Sequence, residues 1–155
     1  MRIVADDYFK QVDDISTEYL EAHSIAGIIL DIDNTIVIDG EMIVSPQVSK
    51  WFRSIRLPVC LLSNGKEYRV KLIAEKFGVV YIYKAKKPLK SGYVKAVKLL
   101  NIEDMSKIVV IGDQLFSDIL GGRLAGCYTI KIEPINRSAD PLSVKVKRWF
   151  ERFVM

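Results

Sequence analysis

This chain has little histidine, little cysteine and no long apolar run. Its 155 residues include one histidine, His23, and two cysteines. A histidine-based catalytic mechanism therefore has little to work with. Cys60 and Cys127 lack the spacing of a metal site and are expected to be buried free thiols. No apolar run approaches the ~20 residues that a membrane-spanning helix needs, and no signal peptide is visible, so we expect a cytoplasmic chain without a transmembrane segment.

The composition predicts one domain over residues 1–155, because 50% of the residues are hydrophobic and the chain is long enough to bury a full core. Short β-rich runs alternate with helical segments, which is typical of an α/β, Rossmann-like doubly wound parallel sheet, here of about five strands. We expect the core at about 25–133 and a separate C-terminal segment at 134–155. Strands are expected at 28–30, 58–62, 79–83, 108–111 and 128–132, and helices at 47–55, 67–77, 91–100 and 115–125.

Two carboxylates, Asp31 and Asp33, follow the apolar run 28–30 directly. Ligands of open α/β sheets bind beyond the carboxyl ends of the strands. Residues two apart in an extended chain point to the same side, so both carboxylates can converge on one small volume, where they need a cation or a shared proton. A competing interpretation is that residues 33–35 merely turn the chain, since Asp and Asn favour turns and helix caps.

The same pattern recurs downstream, and this repetition favours a functional site. The run 108–111 ends in Gly112 and Asp113, with a further acid at Asp118, and the run 58–62 ends in Ser63 and Asn64. The run 79–83 leads into a cationic loop that contains Lys84, Lys86 and Lys87. Each residue alone has a simpler interpretation: Ser63 as a loop hydroxyl that bonds its own backbone, and the lysines as part of a solvated loop. Together they favour a site, because polar groups that follow several parallel strands meet at one edge of the sheet.

This ordered set of motifs resembles the haloacid dehalogenase superfamily of phosphohydrolases, over about residues 25–133. The opening pattern Asp-x-Asp-x-Thr is matched by Asp31, Asp33 and Thr35, and the second motif, a Ser or Thr at a strand end, by Ser63. The third motif, a lysine, is best matched by Lys87, ahead of Lys86 and Lys84. The fourth motif is matched by Gly112, Asp113 and Asp118.

The resemblance implies a phosphomonoesterase that works through an aspartyl phosphate on Asp31. Asp33 would protonate the leaving alcohol and then activate water, and its presence argues against a dehalogenase. Mg²⁺ would be held by the carboxylates of Asp31 and Asp113 and by the backbone carbonyl of Asp33, since hard oxygen ligands suit that ion.

The remaining motif residues receive supporting roles from the same resemblance. Ser63 and the backbone around Asn64 would bind the phosphoryl oxygens, and Lys87 would offset negative charge on nucleophile and phosphate. Asp118 would complete or orient the metal site, with Thr35 and Gly112 as further motif residues.

The motif spacing leaves no room for an inserted lid domain. One loop, one helix and one strand fill the chain between Thr35 and Ser63, and one helix and one strand lie between Ser63 and Lys87. An open site suits a phosphate carried on something large. A protein, a lipid headgroup at a membrane surface and a neighbouring copy of the chain all stay open as partners, with nucleic acid the least favoured.

A narrower resemblance rests on the strings 30–35, 83–88, 110–114 and 118–122, with Gln114, Gly121 and Gly122 as the most diagnostic positions. These strings look like the capless subgroup called the YqeG family, of subclass IIIA, which is related to phosphatidylglycerophosphate phosphatases. The resemblance makes a phosphorylated glycerolipid the leading substrate. A phosphoprotein or a nucleic-acid end is the alternative substrate.

The C-terminal segment is basic and amphipathic, in a chain of net charge +4. At helical spacing, residues 146, 149, 150 and 153 fall on one apolar face, and its basic neighbours are Lys145, Lys147, Arg148 and Arg152. The apolar face could close the domain's own sheet, or the segment could lie on an anionic membrane and make the chain a peripheral protein. In a further alternative, the chain is a catalytically silent module that binds a membrane or a GTPase through residues 6–14 and this tail.

Overall fold

The computed structural model of the protein describes residues 2–136 and 142–152, without the side chains of Ser143, Lys147 and Phe150. Six parallel strands form one sheet in the order β1-β6-β5-β2-β3-β4. Their bounds are Asp7–Phe9 (β1), Gly27–Leu30 (β2), Val59–Leu62 (β3), Val80–Ile82 (β4), Ile108–Gly112 (β5) and Tyr128–Ile132 (β6). The expected α/β parallel sheet is therefore confirmed.

Helices cover both faces of this sheet. They are α1 (Thr17–Ala22), α2 (Pro46–Ser54), α3 (Glu67–Phe77), α4 (Lys90–Leu100), α5 (Gly121–Ala125) and α6 (Leu142–Glu151). Local chemistry sets several of the helix ends. Ser45 accepts a hydrogen bond from the Val48 N–H and so caps the start of α2, while Gly78, at φ 64°, ends α3 in the left-handed conformation that glycine adopts without steric cost.

Two apolar layers hold the sheet between the helices. Strands β2, β3 and β5 are buried along their whole length, which explains their continuous apolar sequences. Because side chains alternate along a strand, Ile28 and Leu30 enter the layer under α1, α2 and α3, whereas Ile29 enters the layer under α4 and α5. Trp51 ties α2 to the N-terminal segment by donating an indole hydrogen bond of 2.8 Å to the carbonyl of Ile15.

The strand order places a topological switch point beside β2. The chain runs outward through β3 and β4 and then crosses back to form β5 on the other side of β2. Loops on opposite sides of such a point separate, so a crevice opens at the carboxyl ends of the strands. The segments that follow β2, β3, β4 and β5 all lie at this edge.

The sheet has one strand more than the expected five, because β1 pairs with β6 at an edge. β1 has three residues, too few to give a periodic apolar signal. The core also begins before residue 25, since Ile15 and Leu20 are fully buried. In addition, the expected helix at 115–125 begins as a wide π-helical turn, Leu115–Leu120, before it continues as α5.

Helix α6 turns polar side chains toward the domain. Arg148 and Glu151 contact the loop after β5, whereas Leu142 and Val146 are exposed. The described part of α6 therefore does not close the sheet with an apolar face. Phe153 and the side chain of Phe150, which the sequence places on that face, lie outside the described residues. No helix in the described ranges is long and apolar enough to cross a membrane.

The buried hydroxyl of Tyr93 joins α4 to the π-helical turn, because it donates a hydrogen bond of 2.5 Å to the carbonyl of Ser117. Tyr93→Phe leaves that carbonyl without this partner and should lower the free energy of unfolding by about 1 to 3 kcal/mol, measured by urea denaturation. Tyr68→Phe is the matched control, since Tyr68 is 74% exposed and should tolerate the change. Equal stability of both variants would contradict this account.

Candidate active site

Three buried carboxylates converge at the switch point. Asp31 follows β2, Asp113 follows β5, and Asp118 lies in the π-helical turn beyond it. One oxygen from each carboxylate lies within 4.8 Å of the others, and all three residues are buried. The structure thus brings together three of the acids that the strand-end pattern predicts. Carboxylates this close repel one another unless cations lie between them.

Lys87 supplies one such cation. Its ammonium group lies 2.6 Å from an oxygen of Asp31 and 2.7 Å from an oxygen of Asp118, and the lysine is itself buried. The structure therefore distinguishes Lys87 from the two other lysines of its loop. Lys84 and Lys86 are exposed to solvent.

Burial and mutual charge shift the protonation of this cluster. Burial, together with the Asp118 and Asp113 carboxylates, raises the pKa of Asp31 well above its ordinary value, although Lys87 opposes the shift. Burial raises the pKa of Asp113 to about 6, against the opposing effect of Arg148. Burial alone would lower the pKa of Lys87, but Asp118 and Asp31 outweigh it and raise that pKa. The site therefore holds a protonated lysine among carboxylates that favour a further cation.

Asn64 fixes the backbone that carries Lys87. Its side-chain oxygen accepts a hydrogen bond of 2.8 Å from the Lys87 N–H, and its amide donates one of 3.3 Å to the Lys87 carbonyl. Neighbouring Ser63 is buried, and its hydroxyl accepts a hydrogen bond of 2.9 Å from the Gly65 N–H. The loops after β3 and β4 are thus joined at the edge of the carboxylate cluster.

Gly112 allows Asp118 to reach the cluster. A Cβ atom built on Gly112 would lie 2.4 Å from the carboxyl carbon of Asp118, so any side chain here would displace the acid. Asp118 is held further by a hydrogen bond of 3.0 Å from the Gln114 N–H to its second oxygen. On the other side, the Thr35 hydroxyl donates to Asp31 over 3.2 Å. Gly112 and Thr35 therefore position the two acids that share Lys87.

The carboxylate of Asp33 is directed elsewhere. It pairs with Arg69 at 2.6 Å and accepts a hydrogen bond of 3.2 Å from the Gly40 N–H. Arg69 also donates to the carbonyl of Glu41, at 2.8 Å from its Nε. The Asp33 side chain thus lies at the rim of the site, tied to the loop after β2 and to the first turn of α3.

Helix α6 contributes two residues that the motifs do not include. Arg148 donates hydrogen bonds to a side-chain oxygen of Asp113 and, over 3.2 Å, to its carbonyl. Glu151 is buried and accepts hydrogen bonds of 2.8 Å and 3.4 Å from the N–H groups of Leu115 and Phe116. Burial raises the pKa of Glu151. In the described ranges, residues 2–136 and 142–152, no inserted domain lies over the site, but α6 packs against it from one side.

These α6 residues, and Arg69, escape prediction because their sequence surroundings are ordinary. Arg148 is one of several basic residues in an amphipathic segment, and such a segment usually solvates its charges. Arg69 follows Ser63 by six positions in a regular helix and belongs to no strand end. The one available signal is the isolated acid Glu151 in the basic tail.

The donor set of the cluster fits a hard divalent cation. Asp31, Asp113 and Asp118 offer carboxylate oxygens within a few ångströms of one another, and Mg²⁺ binds through a few such oxygens while it keeps several waters. Arg148 now contacts an Asp113 oxygen that would be available to such an ion. The carbonyl of Asp33 stays a predicted ligand.

Comparison with known proteins gives consistent results. A family profile of haloacid dehalogenase-like hydrolases matches residues 44–126. The probable phosphatase YqeG of Bacillus subtilis (strain 168) is 35% identical over 153 residues, covering 97% of this chain and 88% of that protein. The mitochondrial phosphatidylglycerophosphatase GEP4 of Saccharomyces cerevisiae is 29% identical over 143 residues, covering 82% of this chain and 77% of that protein.

Among solved structures, a putative haloacid dehalogenase superfamily (subfamily III A) hydrolase from Legionella pneumophila has a TM-score of 0.50 at 17% identity. The match covers 88% of this chain and 90% of that chain, and it bears on the fold alone. The family profile and the Bacillus subtilis relative confirm the resemblance inferred from the ordered motifs. The chain belongs to the haloacid dehalogenase-like hydrolases and groups with the YqeG phosphatases.

Proposed function

We propose that this protein is a Mg²⁺-dependent phosphomonoesterase in which the Asp31 carboxylate attacks phosphorus. We further propose that the natural substrate of the enzyme is phosphatidylglycerophosphate. The observation that carries the mechanism is the buried contact of 2.6 Å between Lys87 and Asp31, inside a cluster of three carboxylates. A carboxylate held beside a protonated lysine can approach a phosphate dianion without meeting uncompensated charge.

Two steps follow from the residues present. An Asp31 oxygen bonds to phosphorus as the ester P–O bond breaks, and the leaving alcohol takes a proton from Asp33. Water then attacks the aspartyl phosphate, Asp33 accepts its proton, and inorganic phosphate leaves with the Asp31 carboxylate restored. In the structure Asp33 pairs with Arg69 at the rim, so this acid must leave the ion pair to carry a proton to the alcohol.

The remaining residues bind and balance the phosphoryl group. The Ser63 Oγ is oriented by the Gly65 N–H, so its proton can donate to a phosphoryl oxygen. The backbone N–H groups near Asn64 would bind a second oxygen. Mg²⁺ bound by Asp31, Asp113 and the carbonyl of Asp33, with Asp118 in support, would polarise the phosphoryl oxygens and lower the charge that Asp31 must approach.

The substrate assignment rests on three independent supports. The phosphatidylglycerophosphatase of yeast aligns with most of this chain. No lid is inserted between the motifs, so a phosphate on a large lipid can reach the site. The loop after β4 also presents Lys84 and Lys86 to solvent beside Lys87, and Lys90 is exposed at the start of α4; these cations suit an anionic headgroup.

Asp31→Asn should lower phosphate release from phosphatidylglycerophosphate by about 10³-fold or more, because an amide cannot act as the nucleophile. Release is measured in mixed micelles with Mg²⁺ and with excess chelator, and the chelator should also abolish it. Asp39→Asn, in the loop after β2 but outside the cluster, is the matched control. The opposite outcome is that the wild-type enzyme cleaves an aryl phosphate, a phosphopeptide or a phosphorylated oligonucleotide end but not the lipid. That result would support the phosphatase activity and exclude phosphatidylglycerophosphate as the substrate.

Asn64→Ala should lower kcat by about tenfold to a hundredfold, since loss of both hydrogen bonds to the Lys87 backbone lets the ammonium group drift from Asp31. The KM for an aryl phosphate should change much less, and urea denaturation should show that the variant, although less stable, is still folded under assay conditions. Lys66→Ala, an exposed change in the same loop, serves as the control. A rise in KM at constant kcat would contradict the positioning role and favour direct binding of phosphate by Asn64.

Arg148→Ala should tighten Mg²⁺ binding by about tenfold, because the guanidinium no longer competes for the Asp113 oxygen. Calorimetric titration of the protein with Mg²⁺ measures this directly and needs no substrate. Lys145→Ala removes an exposed charge from the same helix and should leave the affinity unchanged. Weaker binding in Arg148→Ala would overturn the competition and show that Arg148 orients Asp113 for the metal.

A further inference from the structure

Large apolar side chains are exposed around the active site, in segments that follow four different strands. Ile43, in the loop after β2, is 81% exposed, and Tyr68, in the first turn of α3 after β3, is 74% exposed. Leu89 is exposed in the loop after β4, and Leu142, which begins α6 beyond β6, is 77% exposed. Single apolar residues scattered over a surface are ordinary, but these four lie around the edge of the sheet that carries Asp31, at the carboxyl ends of the strands. We call this edge the catalytic edge.

Basic residues lie among these apolar side chains. Among the described side chains, the exposed cations of this edge include Lys10, Lys66, Lys84, Lys86, Lys90, Lys145 and Arg152. The exposed acids include Glu41, Glu67 and Glu133. Lys84, Lys86 and Lys90 lie between β4 and the first residue of α4, and Lys145 and Arg152 lie in α6 and directly after it, on two sides of Asp31. The edge therefore combines a positive potential with protruding aliphatic and aromatic groups.

Among its described side chains, helix α6 departs from the usual orientation of a surface helix. A helix that packs on its own domain normally buries its apolar stripe and solvates its charges. In α6, Arg148 and Glu151 face the domain, while Leu142 and Val146, four residues apart on one face, point outward beside Lys145. An outward apolar face with a basic neighbour is typical of a helix that lies at a lipid interface.

We propose that this catalytic edge rests on an anionic lipid bilayer, with Ile43, Leu89 and Leu142 entering the interface. The exposed lysines would pair with lipid phosphates, each contributing about 1 kcal/mol of attraction. These apolar residues come from separate segments on different sides of Asp31. They can all contact a broad, flat and deformable surface at once, whereas a single peptide bound in a groove would reach only some of them. A nucleic acid would use the cations but not the aliphatic groups.

This inference rests on the proposed function, because a membrane-borne phosphomonoester would then meet Asp31 from the bilayer side. Binding is nevertheless separable from catalysis. Vesicles of phosphatidylcholine, with or without phosphatidylglycerol, contain no phosphomonoester, so flotation of the protein with them reports the surface alone.

The wild-type protein should float with the vesicles that contain phosphatidylglycerol, and added salt should weaken this binding. Ile43→Ser with Leu142→Ser should weaken binding about tenfold, and Lys66→Gln with Lys145→Gln about tenfold or more. Leu99→Ser with Leu124→Ser, and Lys98→Gln with Lys107→Gln, are the matched controls, since these exposed residues lie toward the opposite edge. The controls should bind like the wild type.

Hydrolysis of a soluble aryl phosphate should be unchanged in all of these variants, which shows that they are folded and active. No flotation of an active wild-type enzyme would overturn the bilayer face and leave the phosphatase intact. Equal loss in the edge variants and the controls would also overturn it. Tight, edge-dependent binding of a phosphopeptide or oligonucleotide in place of vesicles would assign the edge to that partner.

Discussion

The Lys87 ammonium group, buried between the carboxylates of Asp31 and Asp118, is the interaction on which the site depends. Burying a single ion in a protein costs several kcal/mol, so none of these three groups would be stable there alone. Together they offset one another at 2.6 Å and 2.7 Å. Much of the surrounding structure keeps them in place, because a shift of either partner would leave an uncompensated buried charge.

The requirement for close charges explains several features of the backbone. Position 112 requires glycine, because the Asp118 side chain occupies the space where the Cβ atom of any other residue would lie. Asn64 binds both backbone groups of Lys87 and so joins the loop after β3 to the loop after β4. The switch point between β2 and β5 puts Asp31 and Asp113 on neighbouring strands, so groups distant in sequence meet without a long loop.

Most of the fold can be predicted from the sequence, because short apolar strands alternate with helical segments. The central acids can be predicted too, because they lie at or just beyond the ends of buried strands. Asp31, Asp113 and Ser63 come directly after continuous apolar runs, and a parallel sheet aligns the ends of such runs. The resemblance already favoured Lys87 over Lys84 and Lys86, and the structure adds the geometry that the sequence lacks, because the Lys87 ammonium group is buried between Asp31 and Asp118. Strand β1 and Arg148 could not be predicted, because a three-residue edge strand has no periodicity and a basic amphipathic tail fits two opposite orientations equally well.

The orientation of α6 follows from the charge of the site. Among the described residues, the cluster holds the carboxylates of Asp31, Asp113 and Asp118 against the cations Lys87 and Arg148, so it is one positive charge short when all are ionised. Without Arg148 the deficit would double, in a place where burial already raises the pKa of Asp113 to about 6. Arg148 is therefore drawn inward, Glu151 beside it accepts a hydrogen bond from the Leu115 N–H, and Leu142 and Val146 are left facing outward. The exposed apolar stripe is in this sense a consequence of the buried acids.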